Sequence, residues 1–221
     1  MLPFRILYQD NYYIIIDKPA GMPVYSSDKN DSIPSVENFF PLLSRRKEGP
    51  WLVHRLDQDT AGCLLIALRK QALIKAQACF AQHKVNKVYW AIVQGRPKKY
   101  SGIITSPLLK ITQKGQWKMI QDNKGQNALT KWKFLKGNNT CSLIELNLQT
   151  GRTHQARAHC SIMGHPIIGD TIYGAKKYSS IPLSLLSRTL TLQLETAISA
   201  TAQPPQHMLH YINKFSIYKK S

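Results

Sequence analysis

Acidic side chains are scarce in this sequence. Twelve Asp and Glu stand against 30 Lys and Arg, a formal charge of +18 over 221 residues. Between Asp59 and Asp122 there is no acid at all. So sparse a set argues against a nuclease built on paired metal-binding carboxylates. Cysteine is thin as well: Cys63, Cys79, Cys141 and Cys160 are the whole complement, with no CxxC among them. Each lies in an apolar or semi-apolar segment and reads as a small core residue in a reducing compartment, not as part of a disulfide framework. His154, Cys160, His159 and His165 show no i,i+4 histidine pair, so no metal site is expected. No apolar run is long enough to span a bilayer, and no charged-then-apolar leader opens the chain. Repeats and low-complexity segments are lacking too. The expectation is a cytoplasmic protein with no membrane association.

What is abundant is positive charge, and it is uneven. The acid-free stretch carries Arg69, Lys70, Lys75, Lys84, Lys87, Arg96, Lys98, Lys99, Lys110, Lys114 and Lys118. From Lys110 to Lys136 seven lysines face one acid, Asp122. A basic protein can owe its charge to a merely solvated surface. A one-signed field over part of the chain is instead what tracking a phosphate backbone needs, so the partner expected is nucleic acid. Hydrophobic residues make up 43% of the chain, enough for a sizeable core.

Periodicity gives the frame. Phe4–Tyr8 and Tyr12–Ile16 read as strands rich in β-branched and aromatic residues, joined by a turn at Gln9-Asp10-Asn11. Two prolines and a glycine make residues 18–23 a loop, continued over Asp28–Pro34. Ser35 is placed to cap a short helix ending near Leu43. Trp51–Val53 is a short strand, and Gly62–Leu68 is apolar throughout, as a buried strand is. Arg69–His83 is helical by period, with Leu73, Ala76 and Phe80 along one face. Lys87–Gln94, Leu129–Leu135, Thr140–Leu148 and Thr189–Leu194 read as further strands. A helix opens near Thr153 and stops at Gly164. Few strands are separated by a full crossover helix. That pattern implies an α+β fold with a mixed, mainly antiparallel sheet and flanking helices, in a single domain spanning 1–221.

The segment richest in chemistry is His54-Arg55-Leu56-Asp57-Gln58-Asp59-Thr60-Ala61-Gly62. Two cations and two carboxylates lead straight into a buried strand. By itself such a string is equally a salt-bridged turn, with Asp59 capping the backbone. Continued through Cys63-Leu64-Leu65-Ile66-Ala67, it resembles the RluA-type pseudouridine synthase signature HRLDxxTSGxxxxA, departing at Ala61 where serine is usual. Three more blocks follow the family's order. They are Ile6–Asp10 with Lys18-Pro19-Ala20-Gly21, then Lys87–Ala91 with Gly95, then Thr150–His159 with Gly164–Asp170 and Tyr173-Gly174. Pro204–Met208 is similar to the ending of some members. Ala156 and Leu186 also depart from the family's pattern, which has a larger aliphatic at the first and a histidine at the second.

The resemblance implies a pseudouridine synthase fold with a catalytic cleft, and isomerisation of uridine in ribosomal or transfer RNA. The N1–C1′ bond breaks, the uracil turns, and C5 joins C1′. The net change is redox-neutral and asks for no cofactor. A carboxylate attacks the sugar or the base, or removes a ribose proton; each route needs it ionised while desolvated, and therefore beside a cation. By resemblance that carboxylate is Asp57, the cation Arg157, and Tyr89 the ring beneath the base. Arg55 would fill the space left by the flipped uridine, because its planar guanidinium stacks as well as it pairs. His54, Arg152, His154 and Gln155 would complete the RNA side. Read without the family, Tyr89 is a core tyrosine and Arg157 a surface cation. The competing function is a basic RNA-binding module that has lost catalysis. The enzyme is expected to act as a monomer, with no separate N-terminal RNA-binding module.

Overall fold

The computed structural model describes residues 1–26, 33–113, 115–174, 178 and 180–217. Most of the loop expected over Asp28–Pro34, and Lys114, lie outside the described residues. In chain order the elements are β1 (Arg5–Gln9), β2 (Tyr13–Lys18), a 3-10 turn (Val36–Phe39) running into α1 (Phe40–Leu43), β3 (Trp51–Leu52), β4 (Ala61–Ala67), α2 (Lys70–Ala81), β5 (Val85–Gln94), β6 (Ser101–Ile104), β7 (Leu108–Gln113), β8 (Gln116–Gln121), β9 (Thr130–Gly137), β10 (Cys141–Leu148), α3 (Gln155–Ile162), β11 (Leu185–Leu192), β12 (Ile198–Thr201) and α4 (Gln206–Ile217). They form two compact units, one of Met1–Lys87 with Leu186–Gln203 and one of Val88–Leu185 with Pro204–Ser221.

The first unit is organised by β4. All seven of its residues are buried, which is why the stretch reads as an unbroken apolar run rather than an alternating one. β2 pairs with it antiparallel, from Tyr13 opposite Ala67 to Lys18 opposite Gly62. β1 extends β2, and β3 pairs the far end of β4. On its other edge β4 runs parallel to β11, Ala61 beside Leu186 and Gly62 beside Ser187. Gly62 has φ 104° and a Cβ there would collide with the Ser187 carbonyl, so only glycine allows this approach. Helix α2 forms as the period suggests, but its buried side is Ala72, Ala76 and Cys79. The expected face of Leu73, Ala76 and Phe80 is rotated, because small residues let the helix lie close, while Phe80 stacks on His54.

The second unit carries an antiparallel ladder in which β10 lies between β5 and β9, and β6 borders β9. The hairpin β7–β8 is a separate two-stranded sheet with Leu108 opposite Gln121. Its Leu108 and Met119 cluster with Ala128, which follows β8 in the chain, and Ala158 of α3, with Tyr173 against the cluster. The sequence pattern predicts no β6, β7, β8, β12 or α4. The first is four residues long, and the hairpin strands put lysine and glutamine between their apolar residues. The last predicted strand, Thr189–Leu194, in fact begins at Leu185. Within each unit the strand pairs among the described residues are antiparallel except β4 with β11, so the α+β expectation holds.

Candidate active site

In the first unit the Asp57 loop joins β3 to β4. The Asp57 carbonyl accepts the Thr60 amide at 3.1 Å, closing a tight turn, and the carboxylate-bearing side chain is half-buried. Beneath this turn lies a lysine that is entirely buried. Lys18 Nζ donates to the carbonyls of Pro19 at 2.9 Å, Met22 at 2.7 Å and Gln58 at 2.8 Å. Three acceptors match the three N–H groups of an ammonium. The Gln58 carbonyl also accepts the Gly21 amide at 3.0 Å, and the Gln58 side-chain amide donates back to the Gly21 carbonyl at 3.1 Å. The Lys-Pro-Ala-Gly loop and the Asp57 loop are thus tied through the residue next to Asp57. Burial pushes Lys18 down to about 7, and Asp59 and Asp57 pull it the other way.

His54 closes the loop from its other end. Its Nε2 accepts the Leu65 amide of β4 at 3.0 Å, and its ring stacks on Phe80 at 5.0 Å. Burial, with Lys87 adding to it, holds the imidazole down to about 4, so it is neutral and an acceptor at ordinary pH. Arg55, beside it, is exposed, with its guanidinium 5.3 Å from the Tyr25 ring centroid.

In the second unit Arg157 is no surface cation. It is 4% exposed and forms a two-pronged pair with Asp170, Nε to Oδ2 and Nη2 to Oδ1, both 2.8 Å. Asp170 is aimed by its own turn: Oδ1 also accepts the amides of Ile172 and Tyr173 at 2.9 Å. The glycine before it, Gly169, has φ 82°, and a Cβ there would strike the Pro182 carbonyl. The remaining corner of the guanidinium, Nη1, lies 3.3 Å from His154 Nε2. His154 Nδ1 lies 3.1 Å from the Tyr173 hydroxyl, and its ring stacks on Trp117 at 4.5 Å. Tyr89 stands on β5 opposite Leu146 and is 8% exposed.

Gln155 is 2% exposed and its amide is fully engaged. Oε1 accepts the Thr150 hydroxyl at 2.6 Å and the Arg152 amide at 3.0 Å, while Nε2 donates to the Leu129 carbonyl and the Thr130 hydroxyl. Both donors and both acceptor positions are taken. Arg152 is exposed and donates from Nε to the Asn127 carbonyl at 3.0 Å. Among the described residues no cluster of three or more His, Cys, Asp or Glu has the spacing of a metal site, and no helix is long and apolar enough to cross a membrane.

The sequence reading gave no role to Lys18, Asp170, Tyr173 or Trp117. Lys18 did leave a signal, since a lysine directly after Tyr13-Ile14-Ile15-Ile16-Asp17 ends a buried strand and must find partners there.

The model of RNA pseudouridylate synthases matches residues 12–162. The chain belongs to that family. An uncharacterized RNA pseudouridine synthase of Zymomonas mobilis is 43% identical over 189 residues, covering 84% of this chain and 85% of the relative. The ribosomal large subunit pseudouridine synthase D of the same organism is 34% identical, covering 80% of this chain and 57% of that longer protein. The solved structure of human RNA pseudouridylate synthase domain containing 4 is 26% identical with a TM-score of 0.81, covering 96% of this chain and 92% of the human one. The enzyme is accordingly an RNA pseudouridine synthase, an isomerase. Seen in the fold, two departures from the family signature become one. Ala61 and Leu186 are partners in the parallel β4–β11 pairing, 5% and 0% exposed. At these two neighbouring positions the enzyme has an apolar pair.

Proposed function

We propose that the enzyme isomerises uridine in ribosomal RNA, with Asp57 as the reacting carboxylate, Arg157 as the cation that keeps it ionised, and Tyr89 as the ring that receives the base. The observation that carries this is the support beneath Asp57. A fully buried ammonium is a costly device, and here one of its three hydrogen bonds goes to the carbonyl of Gln58, next to the family's aspartate, and the other two to the residue 19–22 loop that is tied to Gln58 through Gly21. A module kept only to bind RNA has no use for a carboxylate held so firmly in a strongly basic chain. Arg157 suits its role because Asp170 takes two of the five guanidinium N–H groups and fixes the plane of a buried cation, with Nη1 lying 3.3 Å from His154 Nε2.

Arg55 and Arg152 remain the RNA-side residues: both are exposed cations, Arg55 beside the stacking face of Tyr25. His54 and Gln155 we assign instead to bracing the loop and the start of α3, since their polar groups are engaged inside the protein. Ribosomal RNA is favoured as substrate by the name of the Zymomonas relative, with transfer RNA the alternative that the test separates. A monomer in the cytoplasm completes the reading; four buried, unpaired cysteines suit a reducing compartment.

The test is direct. Asp57→Asn keeps the side-chain shape but can neither attack nor take a proton. Single-turnover isomerisation should fall by on the order of 10⁴-fold or more, with RNA affinity retained. Appreciable turnover by the clean variant removes Asp57 from the mechanism. Mapping pseudouridine in total RNA with and without the gene identifies the substrate, and loss of a site in transfer RNA alone would overturn the ribosomal assignment.

A further inference from the structure

The sequence groups His154 with the RNA-binding residues, and its surroundings say otherwise. Its backbone is left-handed, φ 51° and ψ 20°, a conformation costly for any residue with a Cβ. It stands at the N-cap of α3, where a side chain ordinarily accepts a backbone N–H, yet it makes no capping hydrogen bond. The chain therefore holds a strained position to point the ring elsewhere. The ring is packed between two aromatics, stacked on Trp117 at 4.5 Å and 28°, and edge-on to Tyr173 at 5.7 Å and 83°.

The hydrogen bonds fix which nitrogen carries the proton. A guanidinium only donates, so Nε2, 3.3 Å from Arg157 Nη1, must be the acceptor. The single proton of a neutral ring then sits on Nδ1 and is given to the Tyr173 hydroxyl at 3.1 Å. That hydroxyl also accepts the Met119 amide at 2.9 Å. Trp117 and Met119 are two apart on β8, so one short stretch of strand supplies both the aromatic lid and the backbone amide that anchors Tyr173. Asp170 fixes Nε and Nη2 of Arg157, and His154 meets the corner that Asp170 leaves.

We propose that His154 is a positioning residue for Arg157 and not an RNA ligand, and that Trp117, Tyr173 and the Met119 amide hold its ring in the tautomer this needs. The proposal rests on the reading of Arg157 given above. Its consequence is that the hairpin β7–β8 shapes catalysis by clamping an imidazole, independently of any contact its lysines make with phosphate.

The experiment compares His154→Leu, His154→Gln and Arg157→Met, singly and as His154→Leu with Arg157→Met. Saturating single-turnover rate, RNA dissociation constant and melting temperature are read for each. His154→Leu should lower the saturating rate about 10- to 100-fold, the effect of losing one hydrogen bond to a charged group, with RNA affinity within about twofold of the parent. His154→Gln restores an acceptor within reach of Nη1 and should recover most of that rate. The double variant should be no slower than Arg157→Met alone, because both changes break one unit. Three results overturn the proposal: weaker RNA binding with an intact saturating rate, equal losses in the Leu and Gln variants that track melting temperature, or additive losses in the double variant. A parental rate in Arg157→Met is a different failure, since it removes Arg157 itself from catalysis.

Discussion

In the first unit the hydrogen bonds of Lys18 and His54 go to backbone, and in the second Arg157, Asp170, His154 and Tyr173 meet one another through side chains. Lys18 is bound by three carbonyls and His54 by one amide, and none of those four partners can be changed by mutation. Arg157, Asp170, His154 and Tyr173 answer one another through side-chain atoms. The difference follows from where each segment sits. A loop between two strands has many unpaired carbonyls to offer a buried cation. Arg157 itself lies on helix α3, whose interior backbone groups bond to each other, so this cation has to find a carboxylate. It also means that the first arrangement tolerates drift in the sequence around its one lysine, while the second fails when any member is lost.

The largest effect should come from breaking the second arrangement at its anion. Asp170→Ala takes away the two-pronged carboxylate that holds the buried Arg157 guanidinium and frees the amides of Ile172 and Tyr173. Removing one partner of a buried ion pair costs about 3–5 kcal/mol. The variant should show that loss in chemical denaturation, together with a rate at least as low as that of Arg157→Met. If it stayed within about 1 kcal/mol of the parent, the pair would be no tighter than an exposed one, and the contrast between the two segments would fail.

A smaller loss is expected from Lys18→Met. It strands the carbonyls of Pro19 and Met22 inside the first unit, at about 1–3 kcal/mol for each buried group left unpaired, and leaves that of Gln58 with the Gly21 amide alone, but it also removes a buried charge that burial already disfavours. We expect a net destabilisation of about 2–3 kcal/mol and a slower reaction at saturating RNA, because the Gln58 carbonyl beside Asp57 loses its anchor. Stability lost with the rate retained would make Lys18 a support for the fold alone.

How much of this was legible beforehand divides along the same line. The strand Gly62–Leu68 and the loop leading into it could be read directly, since a run with no polar residue has one home and the charges before it have to face outward. The two-pronged pair of Arg157 with Asp170 could not. Thirteen residues separate them, and no local period links a helix residue to a turn after the helix has ended. Arg157 looked like a surface cation for the same reason, as burial of an arginine depends on a partner that only the fold supplies. The hairpin β7–β8 escaped because Leu108–Gln113 and Gln116–Gln121 each keep few residues on the core side, in the sparse alternation of a strand with one face in solvent. Trp117 was invisible as a clamp because its partner, His154, was claimed by the motif for RNA.

The smallest effect concerns His54, the ring that accepts the Leu65 amide of β4. His54 is kept uncharged by burial, with a folded value of about 4 against an ordinary 6.5. As pH falls below 6.5 the unfolded chain takes up a proton that the folded one refuses until about 4. Its contribution is therefore complete above pH 6.5, declines between 6.5 and 4, and changes no further below that. For a half-buried ring the loss should amount to about 2 kcal/mol across the window. His159 and His207 are shifted the same way by burial and decline over part of the same range, so the parent's curve alone does not isolate His54. The difference between parent and His54→Gln does, because the other two titrate in both. Gln supplies an oxygen for the Leu65 amide and has nothing to protonate. The variant should accordingly match the parent to within about 1 kcal/mol near neutrality and fall less steeply in acid. Measured by urea denaturation at steps from pH 7 to 4, parallel curves would show that the imidazole is protonated in place, and that the His54–Leu65 bond is not what keeps the Asp57 loop on β4.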